Sequence, residues 1–541
     1  MRGSRIPRTA QEKAAGVVPV DTGHPVGSVL RYGADPSGVT CSYQALHDLC
    51  TVTNEVGGGD LLFPPGTYLV DKVRDIDEYD VFQNGSNIRS MIYRNCSGLR
   101  ISGFGAKIDI KGDAVVDNDY FGSSDVKMVG AFQFNLCRNV VLEGFEIDGN
   151  VQDLSGDSWV EGDSYLVAIN GSTNVTVRNC WIHHAWTDNI NIARNQGYLV
   201  GEGSEFRDTA SRQVIVENCE ISFAGRANFG AHEYRCLTIR SCRVHGGGNH
   251  EGTKFYSPRC NFDWEPDVSR TGDVSDQGYH SDQPPAGSSQ NTNVSNILTS
   301  IEMSEFYNAG LRNIVSVRKT SHMHVKQCFL DNEINDQQPL GFSIPFAKLT
   351  DNIIDIRGGR LDISLTGGVE GIGQFTMRDN EVRARARPDG KRGAALFWAG
   401  DNGFQTQVMI ENNRFIDEST GPRDDEFITL SHGDGNSGNP LQATFRDNYV
   451  FIPAASYSGT TQDIAVTMHV QMAENNVYQT DRDSTTEFLG VHYIAGTSNP
   501  GYHVIARNER FLAAGVAGTN QAIRAADNSA FDLTDPWAMG E

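Results

Sequence analysis

The sequence predicts an all-β fold, a parallel β-helix solenoid, from three observations. A short unit recurs along the chain, each copy alternates apolar and polar residues as a strand does, and few stretches sustain a helical period. The unit reads Asn-Val-Thr-Val-Arg-Asn-Cys at 174–180, Gln-Val-Ile-Val-Glu-Asn-Cys at 213–219, Cys-Leu-Thr-Ile-Arg-Ser-Cys at 236–242 and His-Met-His-Val-Lys-Gln-Cys at 322–328. Later copies end in Asn, at Asn352, Asn380, Asn413, Asn448 and Asn476. Most steps lie between 23 residues (Cys219 to Cys242) and 39 (Cys180 to Cys219). A period in that range marks stacked units, each burying its apolar face only against its neighbours.

Within a unit the alternation is strand-like and rich in β-branched residues: Val175 and Val177 alternate with Thr176 and Arg178, Val214 and Val216 with Ile215 and Glu217. A Cys or small polar residue then breaks the strand, and a second short strand follows, as at Trp181-Ile182 and Glu220-Ile221-Ser222. The Cys and Asn residues share one phase of the coil, so they are expected to stack as a ladder of packing and turn contacts. No Cys-x-x-Cys pair points to metal instead. Most of the ten cysteines are expected to be reduced and buried.

Composition narrows the function. Of 541 residues 38% are hydrophobic, and 57 glycines supply turns; the mean hydropathy is −0.39. This fits a thin continuous core. No run of about 18 apolar residues predicts a membrane span. The formal charge of −23, from 45 basic and 68 acidic residues, argues against nucleic acid as a partner, which calls for a basic face. It also repels polyanionic substrates unless local cations offset it. The start, MRGSRIPRTAQEK, is basic but lacks an apolar core, so no secretory signal is recognised. Export by another route, removal of a signal, or release within a larger particle all remain open.

Four segments are expected: an irregular lead-in (1–27), an N-terminal cap (28–70), the β-helix (71–512) and a short tail (513–541). The cap contains a helical stretch near 42–55 with Leu46, Leu49 and Cys50 on one face. Such a helix covers the unpaired strand edge at the end of a solenoid.

Arg31-Tyr32-Gly33-Ala34-Asp35-Pro36-Ser37-Gly38, the helix, and the run from Gly57-Gly58-Gly59 to Phe63-Pro64-Pro65-Gly66-Thr67-Tyr68 resemble the opening of the pectate-lyase-like right-handed parallel β-helix superfamily. The preceding stretch, from Arg8-Thr9-Ala10 to Val17-Val18-Pro19-Val20, resembles the linker before that opening in bacteriophage tailspikes and related depolymerases. The resemblance covers about the first 70 residues. It implies a right-handed coil, a polysaccharide partner, a homotrimer, and a virion-tail or extracellular setting. It does not fix the reaction, because the superfamily holds lyases, hydrolases, epimerases and binding proteins. The chain departs from tailspikes that end in a trimerising domain, so association would rest on the flanks of the coil.

Candidate chemistry comes from a second phase of the repeat. Asn189-Ile190-Asn191-Ile192, Asn228-Phe229-Gly230-Ala231, Asn261-Phe262-Asp263-Trp264-Glu265 and Asn313-Ile314-Val315-Ser316-Val317 occupy equivalent places. With Ile190, Phe229, Phe262 and Ile314 pointing inward, alternation turns Asn191, Gly230, Asp263, Val315, His232 and Glu265 outward and Trp264 inward. Asp263 and Glu265 then share one face about 6.5–7 Å apart, and Asp188, His232 and Glu233 come from the two preceding coils. Crowded carboxylates split their pKa values, one serving as acid and the other as base or nucleophile. Glycoside hydrolysis uses such a pair at about 5–5.5 Å for retention or about 6.5–9.5 Å for inversion; the sequence leaves both open. The bland alternative is solvated acids, or an ion pair with Arg194, Arg226, Arg235 or Arg259. The segment Asn261–Pro266 is also similar to a Gly-Ile-Asp-Ile-Glu-Pro-like motif of uncharacterised β-helix proteins.

The leading expectation is therefore a glycoside hydrolase with Asp263, Glu265 and Asp188 catalytic and Asn191, Arg194, His232, Glu233, Lys254 and Tyr256 contacting substrate, with no cofactor required. A lyase is the alternative, with Lys254, Tyr256, His232 or an arginine as base and calcium as a possible aid; an epimerase would use similar residues. A non-catalytic glycan-binding adhesin is the third. The polar stretch 268–295 is of a length common in groove walls and lids. Trp159, Tyr165, Trp186 and Tyr256 are candidate sugar-stacking aromatics. His183 and His184, with Asp188 beyond, lack metal-motif spacing, so no metal centre is assigned; no EF-hand, P-loop or dinucleotide fingerprint occurs. Gly103-Phe104-Gly105 is a coil turn.

Overall fold

The computed structural model describes residues 6–73, 89–116, 130–153, 165–193, 210–231, 234–249, 259–264, 297–309, 312–317, 321–332, 340–343, 346–357, 360–365, 372–385, 394–400, 405–418, 427–432, 441–453, 464–469, 472–480, 490–494, 505–507, 509–513 and 523–525. It divides into two compact units, Met1–Ile297 and Leu298–Glu541. Both are built from parallel coils, so the predicted parallel β-helix is the fold.

In the first unit a coil contributes two consecutive strands to one sheet and a third to another. Thr173–Arg178, Trp181–His183 and Asp188–Ala193 make one such coil. Arg212–Glu217, Glu220–Ser222 and Ala227–Ala231 make the next. Each strand pairs in parallel with its counterpart one coil on, which brings like residues into columns. Leu99, Val140, Val175, Val214 and Leu237 form one. Ile108, Ile147, Ile182, Ile221 and Val244 form a second, and Met91, Phe132, Val167, Ile190, Phe229 and Phe262 a third. All are buried. Each large apolar side chain contributes about 1.5–3 kcal/mol by leaving water, so the columns are the main adhesive between coils. The second unit repeats the logic with Leu349, Met377, Ile410 and Phe445 and with Ile354, Val382, Phe415, Val450 and Tyr478.

The Cys/Asn phase is a turn ladder, as expected. Eight of the ten cysteines are buried. In the second unit the asparagines form a continuous spine. The Nδ2 groups of Asn352, Asn380, Asn413 and Asn448 donate to Oδ1 of the next asparagine at 2.9–3.1 Å, and the last, Asn476, donates to Glu509 Oε1 at 3.0 Å. Each Nδ2 also reaches a main-chain carbonyl one coil back, for example Asn413 to Met377 at 2.9 Å. The residue before each rung is left-handed: Asn179, Asn218, Asp351, Asp379, Asn412, Asp447 and Asn475 have φ of 52–59°. Asn and Asp tolerate that region, which explains their frequency there.

The lead-in carries a short helix, α1 (Ala10–Ala14), started by a Thr9/Glu12 capping box. Glu12 then pairs with Arg31 at 2.5 Å, both side chains fully buried. Helix α2 (Tyr43–Val56) buries Leu46, Leu49 and Cys50 on one side. Asn54 donates to Ile92 O at 2.8 Å and accepts from Arg94 N at 2.9 Å. The helix thus serves as a cap by supplying hydrogen bonds to the strand Arg89–Arg94. Gly103-Phe104-Gly105 lies at a register shift between Ser102 and Ala106, a bend of the coil.

Candidate functional site

Three successive coils bear on the predicted site, and of its residues Asp188, Asn191 and Asp263 lie on one sheet. Asn191, Gly230 and Asp263 are in register, and Asp188 pairs with Ala227. Ile190, Phe229 and Phe262 are fully buried in the core, so alternation turns Asn191, Gly230 and Asp263 to the opposite face. Solvent does not reach that face here: Asp188 is 0% and Asp263 1% exposed. Arg226 joins them, Nη1 donating to Asp188 Oδ2 at 3.1 Å and Nη2 to Asp263 Oδ2 at 2.9 Å. Ala227 N donates to Asp188 Oδ1 at 3.2 Å. Gly230 provides the space, because a Cβ there would sit 2.4 Å from Asp188 Oδ2 and 3.1 Å from Asn191 Nδ2. Asn191 Nδ2 is buried without a hydrogen-bond partner among the described residues. The arrangement is an Asp–Arg–Asp bridge, in which a guanidinium favours ionised carboxylates. Glu265, Arg194, His232, Glu233, Lys254 and Tyr256 lie outside the described residues, as do Trp159 and the stretch 268–295. Arg259 Nε donates to Gly248 O at 2.9 Å.

Trp186 corrects the aromatic expectation. It is 1% exposed, and its indole N–H donates to Gly149 O at 2.8 Å, so it packs and does not stack on sugar. Trp181, five residues earlier, is 41% exposed. It begins the short strand Trp181–His183, in register with Glu146 and Glu220 on the neighbouring coils.

That strand opens a second polar cluster. Its outward positions alternate with the buried column Ile108, Ile147, Ile182, Ile221 and Val244. They read Lys107 and Asp109, Glu146 and Asp148, Trp181 and His183, Glu220 and Ser222, Arg243 and His245. Lys107 Nζ lies 2.8 Å from Asp148, 3.2 Å from Asp109 and 3.2 Å from Glu146. Burial lowers the Lys107 pKa, but Asp148 and Asp109 outweigh it and hold the ammonium above its usual range. Burial holds the His183 imidazole down to about 4 against the pull of Asp148. His183 and His184 both meet Asp148, from the preceding coil. Sequence reasoning missed Asp148 because the contact spans one whole coil; the Ile147–Ile182 register was the signal that would have found it.

No known protein-family model matches the chain. Over 243 residues it is 23% identical to Uncharacterized protein YclG of Bacillus subtilis (strain 168), covering 43% of this chain. The chain spans 37% of that relative's length. Among solved structures it is similar to PfbA, a surface adhesin of Streptococcus pneumoniae (TM-score 0.43, 13% identity, 94% of this chain and 92% of that one). It is also similar to a GH87 α-1,3-glucanase catalytic unit from Streptomyces thermodiastaticus strain HF3-3 (0.37, 13%, 95% and 68%). A third is the tailspike of E. coli bacteriophage HK620 in complex with pentasaccharide (0.35, 10%, 90% and 66%). None of them assigns a role to a residue of this chain.

Proposed function

We propose that this protein acts on an extracellular polysaccharide by glycoside hydrolysis, at the coils holding Asp188, Arg226 and Asp263. One observation carries the reading: three charged side chains from successive coils are buried together on a sheet face that the core does not need. Charged groups are rarely buried unless paired, and such clusters concentrate at functional sites. The Asp–Arg–Asp bridge suits Asp188 and Asp263 to act ionised, as base, nucleophile or charge stabiliser. The proton donor is then Glu265, two residues beyond Asp263 in the chain. Asn191, Arg194, His232, Glu233, Lys254 and Tyr256 are the proposed substrate contacts. The proposed setting is a virion tail or the cell exterior, as a homotrimer, which light scattering of the full chain tests. The reaction itself needs no cofactor.

The test is exposure of a capsule and exopolysaccharide panel to the full chain and to Asp263→Asn and Glu265→Gln, with mass analysis of products. Hydrolytic fragments from the wild type, lost in both variants, support the reading. Full activity in both variants removes these assignments. Unsaturated uronate ends turn the reading to a lyase, and tight binding without fragments turns it to an adhesin.

A further inference from the structure

His183 and His184 face one another with their Nδ1 atoms 2.6 Å apart. Asp148 Oδ1 completes a triangle, 3.4 Å from His183 Nδ1 and 3.9 Å from His184 Nδ1. Adjacent residues of a strand normally point to opposite faces. Here His183 ends its strand in register with Asp148, and His184 is left-handed at φ 56°, which returns its ring to its neighbour's side. Both rings are held by stacking, His183 on Trp181 at 4.1 Å and His184 on Phe223 at 5.2 Å between centroids.

Three features suit this triangle to a cation. The first is size: ligand atoms about 2.0–2.2 Å from a zinc-type ion lie roughly 3 Å from one another. The second is charge. Asp109, Glu146 and Asp148 bring three negative charges, and Lys107, the ammonium among them, brings one positive. With neutral imidazoles the cluster carries two uncompensated negative charges. Lys107 occupies Asp148 Oδ2, while Oδ1 accepts from Asn150 N at 3.0 Å and faces the rings. The third is tautomer. Only one proton fits between two facing Nδ1 atoms, whereas an ion takes a lone pair from both and leaves both protons on Nε2. His183 Nε2 is buried without a hydrogen-bond partner among the described residues and lies 3.6 Å from Glu146 Oε1. A carboxylate behind a ligating imidazole is the usual second partner of such a ring.

We propose that Asp148, His183 and His184 form a binding site for one divalent transition-metal ion of the zinc type, with further coordination positions open to water or a ligand. Two imidazoles and one carboxylate favour zinc-like ions over calcium, which prefers oxygen alone. The site shares no residue with the Asp188–Arg226–Asp263 cluster, and the proposal does not depend on the polysaccharide reading.

The test is titration of the chelator-stripped full chain with zinc chloride by calorimetry, with cobalt(II) absorption as a second readout. His184→Gly keeps the left-handed turn, since Gly246 stands at the equivalent place two coils on with φ 69°; Asp148→Asn keeps the shape. One saturable equivalent, weakened about tenfold or more in both variants, with circular dichroism unchanged, is the expected result. Absence of one-equivalent zinc binding by the wild type overturns the proposal, as does equal affinity in both variants. The cobalt spectrum of the wild type decides ligand type without any variant: bands of an all-oxygen site also overturn it.

Discussion

Replacing Asn413 by Ala removes one rung from the asparagine spine. Its Oδ1 accepts from Asn380 N at 3.0 Å and Asn380 Nδ2 at 2.9 Å, and its own Nδ2 donates to Met377 O at 2.9 Å. Asn380 Nδ2 keeps two other acceptors, Leu349 O and Arg378 O. The Asn380 amide and the Met377 carbonyl each lose a side-chain partner in a buried setting. At about 1–3 kcal/mol for each such group the loss is about 2–6 kcal/mol, with the low end expected if water enters the space left behind. Asn413→Cys is expected to cost about half as much. A thiol at this phase donates to a carbonyl of an earlier coil, as Cys242 does to Val216 O at 3.5 Å, but it cannot replace the amide oxygen. Because a solenoid can open coil by coil, the measurement is hydrogen exchange in peptides spanning 377–385, together with the denaturant midpoint. Unchanged exchange in Asn413→Ala, with a midpoint shift worth less than about 1 kcal/mol, would refute the argument.

Other outcomes follow from the same structure. Burial raises the Glu12 carboxyl, but hydrogen bonds from Arg31 and Thr9 outweigh it and hold the pKa down to about 2, against 4.5. The stability from this pair is fully present above about pH 4.5 and is lost as pH falls toward 2, up to about 3 kcal/mol; Glu12→Gln should flatten the acid limb of thermal melting, and an unaltered limb contradicts the assignment. Asn54→Ala withdraws two hydrogen bonds from the strand Arg89–Arg94 and should cost about 1–3 kcal/mol, read as faster amide exchange at 92–94. Gly230→Ala drives a methyl against Asp188 and should abolish depolymerisation while the far-ultraviolet spectrum stays native; full activity would separate the Asp–Arg–Asp bridge from catalysis.

The coil itself was legible because its signals are local. Alternation at Val175 and Val177 and the Cys or Asn at each rung report backbone conformation within a few residues. The cap helix was readable for the same reason, from Leu46, Leu49 and Cys50 on one face. The lead-in proved less irregular than expected, because Thr9 and Glu12 satisfy a helix start and Glu12 then finds Arg31. The sites were less legible. Alternation places Asp263 opposite Phe262, but it says nothing of burial: Asp263 is buried, and Arg226 shares that burial from a neighbouring coil. Trp186 was a candidate for sugar stacking from its place between strands, yet a carbonyl 37 residues away, at Gly149, holds its indole inside. Asp148 reaches His183 from a full coil earlier, a distance set by loop length and not by any local pattern.

The asparagine spine has one further property. Every rung points its amide N–H toward the next, from Asn352 to Asn476, so the side-chain dipoles add head to tail along the stack. Hydrogen bonds in such a chain polarise one another. The sum resembles the field of a helix, carried by side chains instead of peptide groups, with its positive end at Glu509. An anion is the favoured terminus for a row of aligned donors. A glutamate at the last rung, where every earlier one is a neutral amide, therefore closes the row electrostatically as well as sterically.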